Sequence, residues 1–220
     1  MNATLAIDTS TKEGRVSVLS ENKIIFNEIF TSKRSHNSQI FAPLQEALMS
    51  CDRAPSLIVV GTGPGSYTGI RIGIAAGLGL SMALEIPIIG IPSICCAECT
   101  DQKSSYQAIG DARRESWYIA TVKGHKIISG PELLESVESL NKKIEVNQNR
   151  TFCFDESISL PGIEKTNPCT QKLARIASEL SDQEINELKS IPTEPIYLRA
   201  PFITQPKKLG KNVPKLDSSC

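Results

Sequence analysis

Three stretches of this sequence bring together residue types that could do chemistry. Asp8 ends an apolar run and is followed by Thr9 and Ser10, an acid and two small hydroxyls of the kind that meet Mg²⁺ and phosphate at a strand end. The same residues can instead close the strand as an Asx or Ser/Thr turn, bonding their own backbone. The second stretch, GTGPGSYTG at 61–69, lies between a β-branched run and a long apolar one. Unhindered N–H groups leading into a helix N-terminus can cradle an anion there, so Asp8, Thr9, Gly63, Gly65, Ser66 and Thr68 are candidate anion or nucleotide residues. The other reading is a tight turn that sets a helix direction. The loop has neither the lysine that ends a P-loop nor the G-x-G-x-x-G spacing of a dinucleotide site. Nor is Ser66 a nucleophile elbow, since Pro64 and Thr68 occupy the two glycine positions.

The third stretch is Cys96-Ala97-Glu98-Cys99, beside Cys95. C-x-x-C spacing suits redox chemistry or half a zinc site. No second such pair follows, and His36 and His125 are far apart, so structural thiols are expected, with no metal site and no catalytic residue assigned. His36 reads as a loop or cap residue, and Arg113-Arg114 as a solvated or salt-bridged charge cluster. Gly69, Gly73, Gly77 and Ser81 recur every four residues, leaving one helix face almost without side chains. That face can pack on the chain's own sheet or form a partner interface.

These residues need elements to position them. Runs at 4–7, 15–19 and 23–30 read as a three-strand meander, with turn signals at Gly14 and at Glu21-Asn22. Residues 38–49 repeat apolar side chains at helical spacing, with Asn37 as cap and Pro43 near the first turn. Residues 56–60 form a strand, 70–84 a helix and 87–91 a second buried strand, a β-α-β unit whose strands should be parallel. The fold class is α/β. The composition shifts near residue 100, giving an N-terminal lobe over 1–100 and a smaller C-terminal α/β lobe over 101–205. In the latter, 106–109 and 117–122 pair across DARRES, 151–154 is a strand, and 133–140, 173–180 and 184–188 carry weak helical patterns. Residues 206–220 lack apolar periodicity and read as a mobile tail.

Composition narrows the function. The 220 residues carry 24 Lys+Arg against 24 Asp+Glu, so tight binding of a nucleic-acid backbone, which needs a positive excess, is not expected. The first ten residues lack the basic and apolar regions of a secretory signal. Seven cysteines then fit a reducing cytoplasm better than a disulfide framework. Residues 72–97 carry one charge, Glu85, and could span a bilayer by length, but Pro87, Pro92 and four glycines divide them into a buried helix and a buried strand.

AIDTS at 6–10, SHNSQIFAPLQEAL at 35–48, VGTGPGSYTGIRIGIAAGLGL at 60–80, IPIIGIPSI at 86–94, DARRESWYIA at 111–120 and EPIYLRAP at 194–201 together resemble the TsaB family. That family serves the bacterial machinery that places threonylcarbamoyl on the adenosine beside the tRNA anticodon. The resemblance covers residues 3–122 and 192–201. It implies an actin-like two-lobe fold and a non-catalytic scaffold that pairs with a TsaD-like subunit, which holds the metal and nucleotide, and supports a TsaE-like ATPase. It further implies that tRNA is met only through the complex, that the chain can form a homodimer when alone, that it is cytoplasmic with no membrane contact, and that it needs no cofactor of its own. Where the family carries a glutamate before the aromatic pair, this chain has Ser116, with Glu115 one place earlier. An autonomous phosphotransferase of the same fold, or a peptidase, is the competing function.

Overall fold

The computed structural model describes residues 3–31, 39–99, 105–146, 149–155 and 160–199. Asn37, His36 and the 206–220 tail lie outside them. The first sheet contains β1 (Ala3–Asp8), β2 (Glu13–Ser20), β3 (Lys23–Thr31), β4 (Leu57–Gly61) and β5 (Ile88–Ile91), in the order β3-β2-β1-β4-β5. β1 pairs antiparallel with β2, and β2 with β3, whereas β4 runs parallel to β1 and to β5. Every residue of β1 and β4 is buried, as expected of central strands covered on both faces.

One face is covered by α1 (Phe41–Met49) and α2 (Tyr67–Leu84). Leu5, Ile7, Val16, Val18, Ile58 and Val60 point that way, into a core shared with Leu44, Ile70 and Ile74. α2 begins three residues before the expected 70 because Ser66 caps it, its hydroxyl accepting from Gly69 N–H at 3.2 Å. The cap absorbs a glycine that reads as loop in sequence.

The second sheet, built from β6 (Ser105–Asp111), β7 (Trp117–Lys123), β8 (Lys126–Leu134), β9 (Thr151–Cys153) and β10 (Glu164–Lys165), repeats the first. Its order, β8-β7-β6-β9-β10, again places an antiparallel meander beside two parallel strands. α3 (Val137–Val146) stands between β8 and β9 as α1 stands between β3 and β4. β8 escapes a sequence reading because it is a mostly exposed edge strand broken by Gly130-Pro131, and proline is tolerated at an edge. The helix expected at 133–140 begins only at Val137 for the same reason.

α4 (Thr170–Glu179) and α5 (Asp182–Ser190) follow the second sheet in sequence but return to the first, α4 lying on β1 and β2 and α5 on β5. Their apolar faces join Ala6, Val59, Ile89, Ile94, Tyr118 and Phe152 in one core between the two sheets. A 2.6 Å hydrogen bond between the hydroxyls of Ser17 and Thr170 crosses from β2 to α4 within that core.

The glycine stripe of α2 faces inward. A Cβ on Gly69 would lie 2.0 Å from the Thr9 carbonyl oxygen, one on Gly73 2.4 Å from Thr9 Oγ1, and one on Gly77 2.6 Å from Val60 Cγ1. Ser81 spends its hydroxyl on the Ile86 carbonyl at 2.6 Å. The partner-interface assignment of Gly69, Gly73, Gly77 and Ser81 is thus corrected: these residues seat α2 on its own sheet. The helix expected to be buried is so on that side alone. Its outer side exposes Arg71, Ala75, Leu78 and Met82, and α2 is long and apolar enough to cross a membrane by length and composition.

Two substitutions on one helix separate these environments. Gly69→Ala should destabilise the chain by about 1–3 kcal/mol, the cost of overpacking against unyielding backbone. Gly79→Ala meets nothing within 4 Å and should stabilise by up to about 1 kcal/mol through helix propensity. Urea denaturation reads both, and a stabilised Gly69→Ala would contradict the inward seam.

Candidate functional site

The loop between β4 and α2 is held on every side by hydrogen bonds. Thr62 N–H donates to the Ile91 carbonyl at 3.0 Å, Ser93 N–H to that of Gly63 at 2.8 Å, and Ile196 N–H to that of Thr62 at 2.8 Å. Gly63 N–H donates to Ser93 Oγ at 2.9 Å, and the Gly63-Pro64 peptide is cis. The turn after β1 is tied to this loop as well. Ser66 N–H donates to the Ser10 carbonyl at 2.7 Å, and Thr9 Oγ1 donates to that of Gly69 at 2.7 Å.

This contact seals the candidate acid. Asp8 is 3% exposed, and its Oδ1 accepts from Ser10 N–H at 2.8 Å and Ser10 Oγ at 2.6 Å, which is the Asx-turn arrangement. Oδ2 has no hydrogen-bond partner of good geometry and faces Gly61, where a Cβ would come within 1.8 Å of it. Burial pushes the carboxyl above its ordinary 3.8, opposed by Ser10, Ser93 and the charge of Arg15. Burial likewise holds the Cys95 thiol at about 12 and Cys96 well above 9.0, so both are protonated at neutral pH and lack the thiolate that redox or metal chemistry uses. Among the described residues, no three His, Cys, Asp or Glu side chains converge on a metal position.

Beside the sealed turn lies an open cavity of about 830 Å³. Its walls are the loop and first turn of α2, the β6–β7 turn at 111–114 and the C-terminal segment at 195–199. The structure therefore divides the six anion-loop candidates. Gly65, Ser66 and Thr68 line the cavity, whereas Asp8, Thr9 and Gly63 lie outside its lining.

Around the cavity stand residues to which the sequence pattern assigned no site role. Arg113, Arg114 and Glu115 adopt left-handed backbone, with φ of 65°, 56° and 58°, a conformation that costs energy in non-glycine residues. Asp111 braces the turn, accepting from Arg113 N–H at 2.6 Å and from its guanidinium at 3.2 Å. Ser116, 2% exposed, donates its hydroxyl to the Arg113 carbonyl at 2.7 Å and accepts from Arg199 Nη2 at 2.7 Å. The rings of Tyr67 and Tyr197 lie 5.4 Å apart, with the Arg71 guanidinium 5.3 Å from the Tyr67 centroid. The signal for Arg199 was present in EPIYLRAP, but more than eighty residues separate it from the turn it meets.

Residues 23–195 match the family model described as "TsaD: tRNA N6-adenosine threonylcarbamoyltransferase". The chain belongs to this family. The tRNA threonylcarbamoyladenosine biosynthesis protein TsaB of Bacillus subtilis is 40% identical over 93 residues, 41% of each chain. Its Escherichia coli namesake is 33% identical over 94 residues, 41% of this chain and 40% of the relative. The match thus spans about two fifths of these relatives' length. A Pseudomonas aeruginosa crystal structure, of an uncharacterized protein with similarity to peptidase YEAZ, superposes with a TM-score of 0.71 at 21% identity, over 90% of this chain and all of that one. The TsaB resemblance read from the motifs is borne out by these relatives, and the duplicated sheets are the two lobes of an actin-like fold.

The buried acid of this TsaD-family chain makes a pH prediction. A folded carboxyl that keeps its proton to higher pH than the unfolded one loses stability as pH rises from about 3.8 through its raised folded value. Asp8→Asn keeps the Oδ1 acceptor and removes that charge, so its stability should vary less with pH and at pH 7 should equal or exceed that of the parent. Denaturant titrations across that range decide it. A marked loss at pH 7 in the variant would show that the charge itself is needed.

Proposed function

We propose that this chain is a non-catalytic partner subunit in threonylcarbamoyladenosine modification of tRNA, pairing with a TsaD-like subunit that carries out the transfer. The observation that carries the reading is the closed Asp8 turn. In an actin-like enzyme the acid after the first strand must reach a metal or phosphate across the cleft. Here Oδ1 is bonded by Ser10 and the whole carboxyl is buried, with Oδ2 enclosed against Gly61. The autonomous phosphotransferase reading needs that carboxylate open to the cleft.

The outer face of α1 and α2 supports pairing. Met49 and Met82 are 76% and 81% exposed on α1 and α2, which cover the same face of the sheet, and Phe41 and Leu78 are exposed on the same two helices. Apolar side chains grouped on one face mark interaction surfaces, and methionine adapts well to a partner. We assign this face to the TsaD-like subunit, with a second copy of the chain taking its place when that subunit is absent. The balanced charge fits a subunit that meets tRNA only through the complex, in the cytoplasm, alongside a TsaE-like ATPase.

Leu78→Glu combined with Met82→Glu should weaken capture of the TsaD-like subunit at least about tenfold, since desolvated apolar anchors dominate such interfaces, while circular dichroism and melting temperature stay unchanged. The isolated chain should turn over no ATP above background. Reconstituted transfer onto tRNA at full rate without this chain would overturn the reading.

A further inference from the structure

Each sheet has two edge strands, and an edge strand presents a row of N–H and C=O groups that invites another strand. Among the described residues, three of the four edges are blunted. β8 is broken by Gly130-Pro131, β10 is two residues long, and β5 is four residues long with α5 against it. β3 is the exception. It runs nine residues, Lys23–Thr31, without proline or glycine, where a mean strand has about five to six. Among the described residues only its inner edge is paired, with β2.

Along β3 every second residue is exposed: Lys23, Ile25, Asn27, Ile29 and Thr31. A register break beside Ile25 leaves that alternation intact. α4 lies over β1 and β2, where Ser17 bonds both Thr170 and Asn27, but Ile25 and Ile29 remain 42% and 48% exposed. Open edges are usually guarded by charge, so two branched apolar residues there call for a neighbour. The spacing also says which neighbour. Ile25 and Ile29 flank Asn27 at equal distances, so the strand matches its own reverse. A two-fold axis perpendicular to the sheet keeps every residue on its own face, and it must therefore pass through a residue rather than between two.

We propose that β3 pairs antiparallel with β3 of a second copy of this chain, about a two-fold axis through Asn27, joining the two first-lobe sheets edge to edge. In that register Ile25 lies opposite Ile29 of the other copy, twice over, and such directly opposed apolar pairs are what stabilises strand pairing. Lys23 meets Thr31 and Glu28 meets Phe26, so no like charges face each other. Moving the axis to Glu28 would set two carboxylates opposite one another, and moving it to Ile29 would leave Ile25 facing no residue of the other strand. One strand edge makes a small interface, so the dimer is weak and reversible. It leaves the outer face of α1 and α2 free on both copies, and the proposal stands independently of the partner-subunit reading.

Sedimentation equilibrium of the full chain tests it, in a Leu78→Glu/Met82→Glu background so that the helical face supplies no contact. The chain should pass from monomer to dimer as concentration rises, and amide exchange over residues 23–31 should slow in step. Adding Ile25→Lys and Ile29→Lys should weaken the dimer about tenfold or more, since lysines on an edge deter pairing. Asn27→Asp, which sets two carboxylates opposite each other on the axis, should also weaken it, and carries the test should the Ile25→Lys/Ile29→Lys variant fail to fold. In the parent chain Ile25→Lys/Ile29→Lys should leave capture of the TsaD-like subunit unchanged, which separates this edge from the partner surface. A chain still monomeric at about 1 mM, a dimer indifferent to Asn27→Asp, concentration-dependent protection confined to other segments, or capture lost in Ile25→Lys/Ile29→Lys would overturn the proposal.

Discussion

The close approach of the β1–β2 turn to the glycine loop is the constraint on which the first lobe depends. The Ser10 carbonyl meets the Ser66 amide, the Thr9 hydroxyl meets the Gly69 carbonyl, and a Cβ on Gly65 would come within 2.3 Å of the Ser10 oxygen. Backbone can pass backbone at that range only where side chains are missing. The glycines therefore serve one purpose from Gly61 to Gly77: they bring α2 down onto β1 and β4. Asp8 is drawn in with them and becomes a clamp on its own turn.

That tight seam has a consequence for the opposite face of α2. Because the inward side is lined by glycine with Ile70 and Ile74, α2 meets its sheet with little side-chain bulk. Its larger apolar residues, Leu78 and Met82, are left outside. A helix that spends glycine on its own sheet and leucine and methionine on solvent is amphipathic in volume rather than in polarity.

Much of the first lobe was legible in the sequence, because its strands alternate or run continuously apolar and its turns carry glycine and asparagine. The second lobe was legible only at β6, β7 and β9. β8 is exposed and interrupted by Gly130-Pro131, and β10 is two charged residues long, so neither leaves a hydrophobic period. The duplication is invisible in the residues because it lies in the order and direction of strands. The return of α4 and α5 to the first sheet is a long-range packing choice that local pattern does not encode. The direction of the glycine stripe was undetermined for a related reason: spacing shows which residues share a face, and only the neighbouring Thr9 and Val60 show which way that face points.

The candidate site divides along the same line between local and distant information. The glycine loop announces itself because nine consecutive residues carry the signal. The arginine cavity depends on Ser116 reaching Arg199 across 83 positions, and neither residue is distinctive alone. The two features also show opposite electrostatics in adjacent space. At Asp8 a negative group is buried, and it holds its proton more firmly because burial disfavours the charge. At the cavity, positive groups remain open to water, where their charge costs little to keep. The acid is enclosed, while the β6–β7 turn keeps its arginines at the surface, braced by Asp111 and Ser116.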